Sequence, residues 1–196
     1  MLAVTKTHPL KTLKKAAELG VQHFGENRVQ EAEKKAPHIP NNIELHLIGH
    51  LQSNKIKKAL KIFNVIQTVD SLKLAEKINQ QAKALNKKQR IYCQVNIGKD
   101  PNKTGFTARN LKSNIKKIIS LSNLSTEGIM TILPQNEKNK TKTELYKKTK
   151  KIRDEISKSH KIDLELSMGM SEDYKIAIEC GATIIRVGTK LFGTRK

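Results

Sequence analysis

Leu2-Ala3-Val4-Thr5-Lys6-Thr7-His8-Pro9 opens the chain, and the way this stretch turns decides between two folds. Leu2–Lys6 is short, apolar and β-branched, which reads as a strand. Leu10–Leu19 then shows helical spacing and stops at Gly20, a residue suited to ending a helix. A strand that feeds a helix starts either an open doubly wound sheet or a closed (β/α)8 barrel. The open sheet predicts a glycine-rich G-x-G-x-x-G turn after its first strand. Here that turn is Thr5-Lys6-Thr7-His8-Pro9, with no glycine. The barrel is the better reading.

The rest of the chain repeats the unit. Strand candidates follow at Gln22–Phe24, Glu44–Ile48, Val65–Val69, Arg90–Ile97, Ser125–Ile132, Asp163–Met168 and Thr183–Val187. Ser71–Asn86 carries Leu72, Ala75, Ile78, Ala82 and Leu85 at three- and four-residue spacing, the signature of an amphipathic helix. Ala108–Ser120, Thr143–Ser157 and Glu172–Glu179 read the same way, the last ending at Gly181. Eight such units match a (β/α)8 barrel, although 196 residues is short for one. One core and one domain, 1–196, are expected, with no linker or low-complexity segment.

Composition narrows the function classes. Hydrophobic residues are 37% and charged residues 29%, a globular balance. No apolar run approaches the roughly 20 residues that span a membrane, and no signal peptide is visible, so a cytoplasmic protein is expected. Cys93 and Cys180 are read as reduced thiols, and no zinc-type cluster of Cys and His is evident, so no metal is expected. The formal charge of +20 invites a nucleic-acid reading. However, 32 of the 38 basic residues are Lys and only 6 are Arg, whereas bidentate phosphate and base contacts favour Arg. Pairs such as Lys14-Lys15, Lys34-Lys35 and Lys147-Lys148 mostly fall on wet helix faces, and with 4% aromatics and no Trp a base-stacking platform is hard to build. Specific nucleic-acid binding is therefore not expected.

In a barrel, active sites form at the C-terminal ends of the strands. Those ends hold Lys6, Gly25-Glu26-Asn27, Gly49-His50, Asp70, Asn96, Thr131, Ser167-Met168-Gly169 and Arg186-Val187-Gly188-Thr189. An enclosed lysine can attack a carbonyl, while a solvated one at a strand end does nothing, and one Lys among 32 decides little. The loops after the seventh and eighth strands are the usual phosphate site of barrels. Here they are Ser167–Ser171 and Gly188-Thr189, which favours phosphate binding. Ser171 and Ser53 also read as plain helix caps, and His46 as a satisfied core histidine.

Several of these stretches together resemble the pyridoxal 5′-phosphate (PLP) homeostasis protein family. They are Ala3-Val4-Thr5-Lys6-Thr7, Phe24-Gly25-Glu26-Asn27-Arg28-Val29-Gln30-Glu31, His46 to Lys55, Val95-Asn96-Ile97-Gly98 with Lys103-Thr104-Gly105-Phe106, Gly128 to Ile132, Leu166 to Ser171, and Arg186 to Gly193. The resemblance is ordered and covers nearly the whole chain. It implies a barrel like the N-terminal domain of alanine racemase, with PLP held as a Schiff base on Lys6. It further implies that Ser167, Gly188 and Thr189 bind the phosphate, that Arg186 faces the pyridine nitrogen, and that Asn27 lies near the lysine and ring. Two departures stand out. Relatives carry an extra helix before the first strand, whereas Met1 here begins the strand; its loss would bare apolar surface at roughly 25 cal/mol per Å². The chain also ends three residues after Gly193, leaving little C-terminal helix.

PLP carries the chemistry and the protein sets its electronics. A guanidinium at the pyridine nitrogen disfavours its protonation and weakens the ring as an electron sink. Racemisation needs an acid–base group on each face of the substrate carbon, and only Lys6 is in view. The expectation is a monomeric PLP carrier in vitamin B6 homeostasis, not an ordinary enzyme, with apo PLP-dependent enzymes as acceptors. A weak PLP-dependent racemase or lyase is the alternative, and a basic nucleic-acid module a third.

Overall fold

The eight strand–helix units close into a ring. The structure, a computed structural model, describes residues 1–193. The strands are β1 (Leu2–Val4), β2 (His23–Glu26), β3 (Glu44–Leu47), β4 (Val65–Val69), β5 (Gln89–Val95), β6 (Leu124–Thr131), β7 (Glu165–Met170) and β8 (Ile184–Val187). Each pairs in parallel with the next, and β8 returns to β1 through Leu2↔Arg186 and Ala3↔Val187. The helices are α1 (Leu10–Glu18), α2 (Val29–Lys35), α3 (Ile56–Ile62), α4 (Leu72–Ala84), α5 (Ala108–Ile119), α6 (Asn139–His160), α7 (Tyr174–Glu179) and α8 (Thr189–Phe192). The expected (β/α)8 barrel is the fold. The expectation about the residues after Gly193 lies outside those described.

Alternation along each strand divides the core in two. One face of each strand packs with the helices into the large shell that holds Leu13, Phe24, Leu47, Ile66, Ile78, Ile115 and Leu166. The other face fills the lumen with two small groups, Leu2, Val4 and Ile48, and Val65, Tyr92 and Met130, with Ile184 against both. Gly128 makes room for Tyr92, because a Cβ there would overlap the phenol ring.

Helix ends follow the glycines. Gly20 and Gly181 have φ of +90° and +89°. Their amides donate to Ala17 and Ile178, and the next amides, Val21 and Ala182, donate to Ala16 and Ala177. These paired bonds satisfy carbonyls that a helix end leaves open. Helices α2 and α3 are seven residues each, below the window in which 3.6-residue periodicity can be read. Ser53 is not their cap: it lies in a 3-10 turn, Ser53–Lys55, and its Oγ accepts from Lys77 Nζ. Ser171 caps no helix either, since Asp173 stands at the start of α7.

The surface expected to be bare does not fall on β1, whose residues Leu2, Ala3 and Val4 are all buried. Both cysteines are buried free thiols, and burial pushes Cys93 up to about 12, well away from a reactive thiolate. Among the described residues no helix is long and apolar enough to cross a membrane.

Candidate functional site

Lys6 continues the lumen-facing series Leu2, Val4, and so reaches the mouth of the barrel. It lines a cleft of about 300 Å³ together with Val4, His8, Asn27, Ile48, Arg186, Gly188 and Thr189. The chain around it is held from outside the cleft by a buried ion cluster. Lys35 Nζ donates to the Thr5 carbonyl at 2.9 Å, to Glu26 Oε1 at 2.7 Å and to Glu31 Oε1 at 2.9 Å. Thr5 Oγ1 donates to Glu26 Oε1 at 2.8 Å, and the Thr7 amide donates to Glu31 Oε1 at 2.6 Å. The residues on both sides of Lys6 are thereby fixed. Thr7 needs that support, because its φ of +65° is a strained conformation for a β-branched residue.

Burial raises the Glu26 carboxyl above its ordinary range, and the hydrogen bonds from Lys35 and Thr5 pull it back. Lys35 corrects the reading of the lysine pairs as wet faces: it is buried. The one signal for it in the sequence is the Glu31–Lys35 spacing of four on a helix.

Arg186 comes from the end of β8 and is almost wholly buried. Its Nη2 donates to the Thr131 carbonyl at 2.7 Å and its Nη1 to Ser167 Oγ at 2.8 Å. Burial lowers it to about 10, which still leaves it a cation at neutral pH. Ser167 Oγ in turn donates to Gln67 Oε1 at 2.7 Å, and the Gln67 amide nitrogen lies 2.9 Å from His46 Nδ1. Ser167 is therefore not on the cleft wall. It is fully buried and accepts from the Arg186 guanidinium, which it helps to hold in place.

The serine that does line the cleft is Ser171. Its Oγ accepts from the Gly188 amide at 3.3 Å and from the Lys190 amide at 3.4 Å, which ties the loop after β7 to the loop after β8. Gly188 packs close to Val4, where a Cβ would stand 3.2 Å from the Val4 carbonyl oxygen. Gly49 lets the Asn27 backbone pass, since a Cβ there would overlap the Asn27 carbonyl. The remaining strand-end candidates have structural partners. Asn96 Nδ2 donates to the carbonyls of Asp100 and Lys103, Thr131 Oγ1 donates to Val95, and His50 Nδ1 stands 3.4 Å from Asp70.

Five of the six expected residues, Lys6, Asn27, Arg186, Gly188 and Thr189, thus share one cleft. An amine in an enclosed site can add to a carbonyl, and hydroxyls and amides at a loop rim can bind an anion. A buried cation at one wall disfavours protonation of a base placed against it. A flat, phosphorylated aldehyde with a basic ring nitrogen fits all three features.

The family model for the alanine racemase N-terminal domain matches residues 1–196. The pyridoxal phosphate homeostasis protein of Aquifex aeolicus is 37% identical over the whole chain and 87% of its own length. That of Synechocystis is 39% identical over 91% of its length. PipY from Synechococcus elongatus, solved without PLP, superposes with a TM-score of 0.95 at 38% identity, covering 98% of this chain and 91% of that one. The same protein with PLP bound gives 0.91 at 36% identity, covering 98% and 92%. An alanine racemase from Clostridium difficile shares the fold at 17% identity with a TM-score of 0.86, and this chain covers 52% of it.

Proposed function

The chain belongs to the alanine racemase N-terminal domain family, among its pyridoxal phosphate homeostasis proteins, and from that premise we propose that residues 1–196 form one PLP-holding domain, with the coenzyme covalently attached through Lys6 Nζ, that serves PLP homeostasis. The observation that carries this reading is the shared cleft of Lys6, Arg186, Gly188 and Thr189. PLP supplies an aldehyde for Schiff-base exchange and a ring able to withdraw electrons. Lys6 Nζ binds the aldehyde carbon. The Gly188 and Thr189 amides with the Thr189 and Ser171 hydroxyls bind the phosphate, and Asn27 lies beside the lysine. Arg186, held by Ser167 and Thr131, faces the ring nitrogen and keeps a proton off it.

That electrostatic setting supports a carrier over a catalyst. A cation at the ring nitrogen weakens electron withdrawal, and α-proton chemistry also needs an acid–base group on the face opposite Lys6. We therefore read the protein as a cytoplasmic, monomeric carrier that hands PLP to apo PLP-dependent enzymes.

Borohydride reduction of the yellow protein tests the central claim. The coenzyme becomes fixed to the peptide that contains Lys6, and Lys6→Ala abolishes both the visible band and the adduct. A colourless protein that takes up no PLP, or an adduct on another lysine, overturns it. The carrier reading also requires PLP to reach an added apo-enzyme faster than it is released to buffer.

A further inference from the structure

At the opposite end of the barrel from the cleft, three potential ligands converge that are far from any metal-binding spacing in sequence. His23 and Glu44 are the first residues of β2 and β3 and are paired in register. His46 lies two residues beyond Glu44, on the same face of the strand. Glu44 Oε2 is 3.4 Å from His23 Nδ1 and 3.6 Å from His46 Nε2. All three donor atoms lie within 4.8 Å of one another. The two imidazoles meet edge to face with ring centres 5.9 Å apart.

Two atoms of this group face each other at 3.6 Å, too far apart for a hydrogen bond. Glu44 Oε2 and His46 Nε2 are both buried and neither is hydrogen-bonded. His46 exposes only 4% of its side chain. A buried polar atom without a hydrogen bond is unfavourable, so a group that satisfies both is favoured. The rest of the cluster is already committed. Arg90 Nη1 donates to Glu44 Oε1 at 2.6 Å, and Arg90 Nε donates to both oxygens of Glu127, at 2.8 and 2.9 Å. Arg90 thereby turns Oε2 toward the histidines and leaves it as a single donor oxygen. The two carboxylates outweigh the one guanidinium, so the site keeps a net negative charge for a cation.

We propose that His23, Glu44 and His46 form a binding site for a divalent transition metal of the zinc type at the closed end of the barrel. The spacing fits: two ligands about 2.1 Å from a tetrahedral ion stand about 3.4 Å apart. Two imidazoles and one carboxylate select zinc-like ions over magnesium, which prefers an all-oxygen shell with several waters. His23 exposes 48% of its side chain, so water reaches the fourth position. On the far side of His46 the Gln67 side-chain amide lies 2.9 Å from Nδ1 and orients the ring.

Equilibrium dialysis of the full chain with PLP bound tests this, with Zn²⁺ as the probe and Mg²⁺ as competitor. One Zn²⁺ per chain is expected, undisturbed by excess Mg²⁺. His23→Ala, a half-exposed position that leaves the core alone, lowers the affinity at least about tenfold; Glu44→Gln does the same. Absence of Zn²⁺ uptake by the unmodified chain overturns the proposal. So does uptake that His23→Ala leaves unchanged, which is the result for zinc bound to the coenzyme or to other surface groups. Should Glu44→Gln fail to fold, the His23→Ala comparison decides alone.

Discussion

At the mouth of the barrel, Lys6 stands in a cleft walled by loops and backbone, and the ions that support it lie behind the strand, out of the cleft. At the base, charged side chains cross the lumen itself. Glu44 on β3, Arg90 on β5 and Glu127 on β6 form one chain of ion pairs, and Tyr92 on β5 donates to Glu165 on β7. Both ends use buried charge, to different ends. The mouth keeps its reactive groups reachable and spends its ion cluster on the conformation of one turn. The base ties strands together at the face where barrels carry stability and not chemistry. Substitutions at the two ends should therefore separate: those at the mouth move coenzyme retention with stability, and those at the base move stability or metal affinity and leave coenzyme retention unchanged.

The largest effect is expected from Lys35→Met. It removes the cation shared by Glu26 and Glu31 and leaves the fully buried Glu26 without its ion-pair partner. Breaking a buried pair in this way is unfavourable by about 3–5 kcal/mol. It also frees the Thr5 carbonyl and loosens the strained Thr7 turn, so PLP retention should fall even under conditions where the variant stays folded. Denaturant unfolding followed by coenzyme absorbance and by circular dichroism measures both. Loss of stability below about 1 kcal/mol, or unchanged retention in the folded variant, breaks the account of how Lys6 is positioned.

Arg90→Met is the matching change at the base. Two carboxylates lose a cation, but the three groups are between a quarter and two-fifths exposed. Water then takes up part of the lost interaction, which reduces the expected destabilisation to about 1–2 kcal/mol. The visible band of the coenzyme should not change. A base substitution that altered that band would show that the ends are coupled, and the line His46, Gln67, Ser167, Arg186 is the physical route by which it would travel.

The same contrast explains what the sequence disclosed. The mouth was legible because strand ends carry it: alternation places Lys6, Arg186 and Gly188, and short motifs mark the loops between. Val65–Val69 was readable to the residue, because a short run rich in β-branched residues, here buried on both faces, stands out as a strand. Lys35 was not, because the four-residue spacing from Glu31 is its one signal, and such a pair is usually solvated until β1 and β2 pack over it. Ser167 stands in sequence beside the loop that closes the rim, and its contacts are not legible there. Parity along β7 turns it into the lumen instead, where only the closed barrel sets Gln67 and Arg186 within reach. The base was hidden for the same reason. His23, Glu44, Arg90 and Glu127 belong to four strands, and nothing in their spacing announces that closure brings them together.

The smallest effect is expected at neither end. Asp154 on α6 pairs with Lys150 and Arg153 and is nearly half exposed, so Asp154→Asn loses only a solvated ion pair. Such pairs contribute about 0–1 kcal/mol and less as salt rises. The substitution also raises the formal charge above +20, and self-repulsion in so basic a chain works against the compact state. The two contributions respond to salt in the same direction. At low ionic strength the variant should be slightly less stable than the parent, and above about 0.15 M, where screening acts within about 8 Å, the difference should close. A deficit that persists at high salt would mean that Asp154 is held by more than surface charge. A deficit above about 1 kcal/mol at low salt would mean that net charge, and not the base network alone, limits the stability of the barrel, and the Arg90→Met result would then have to be read at matched charge.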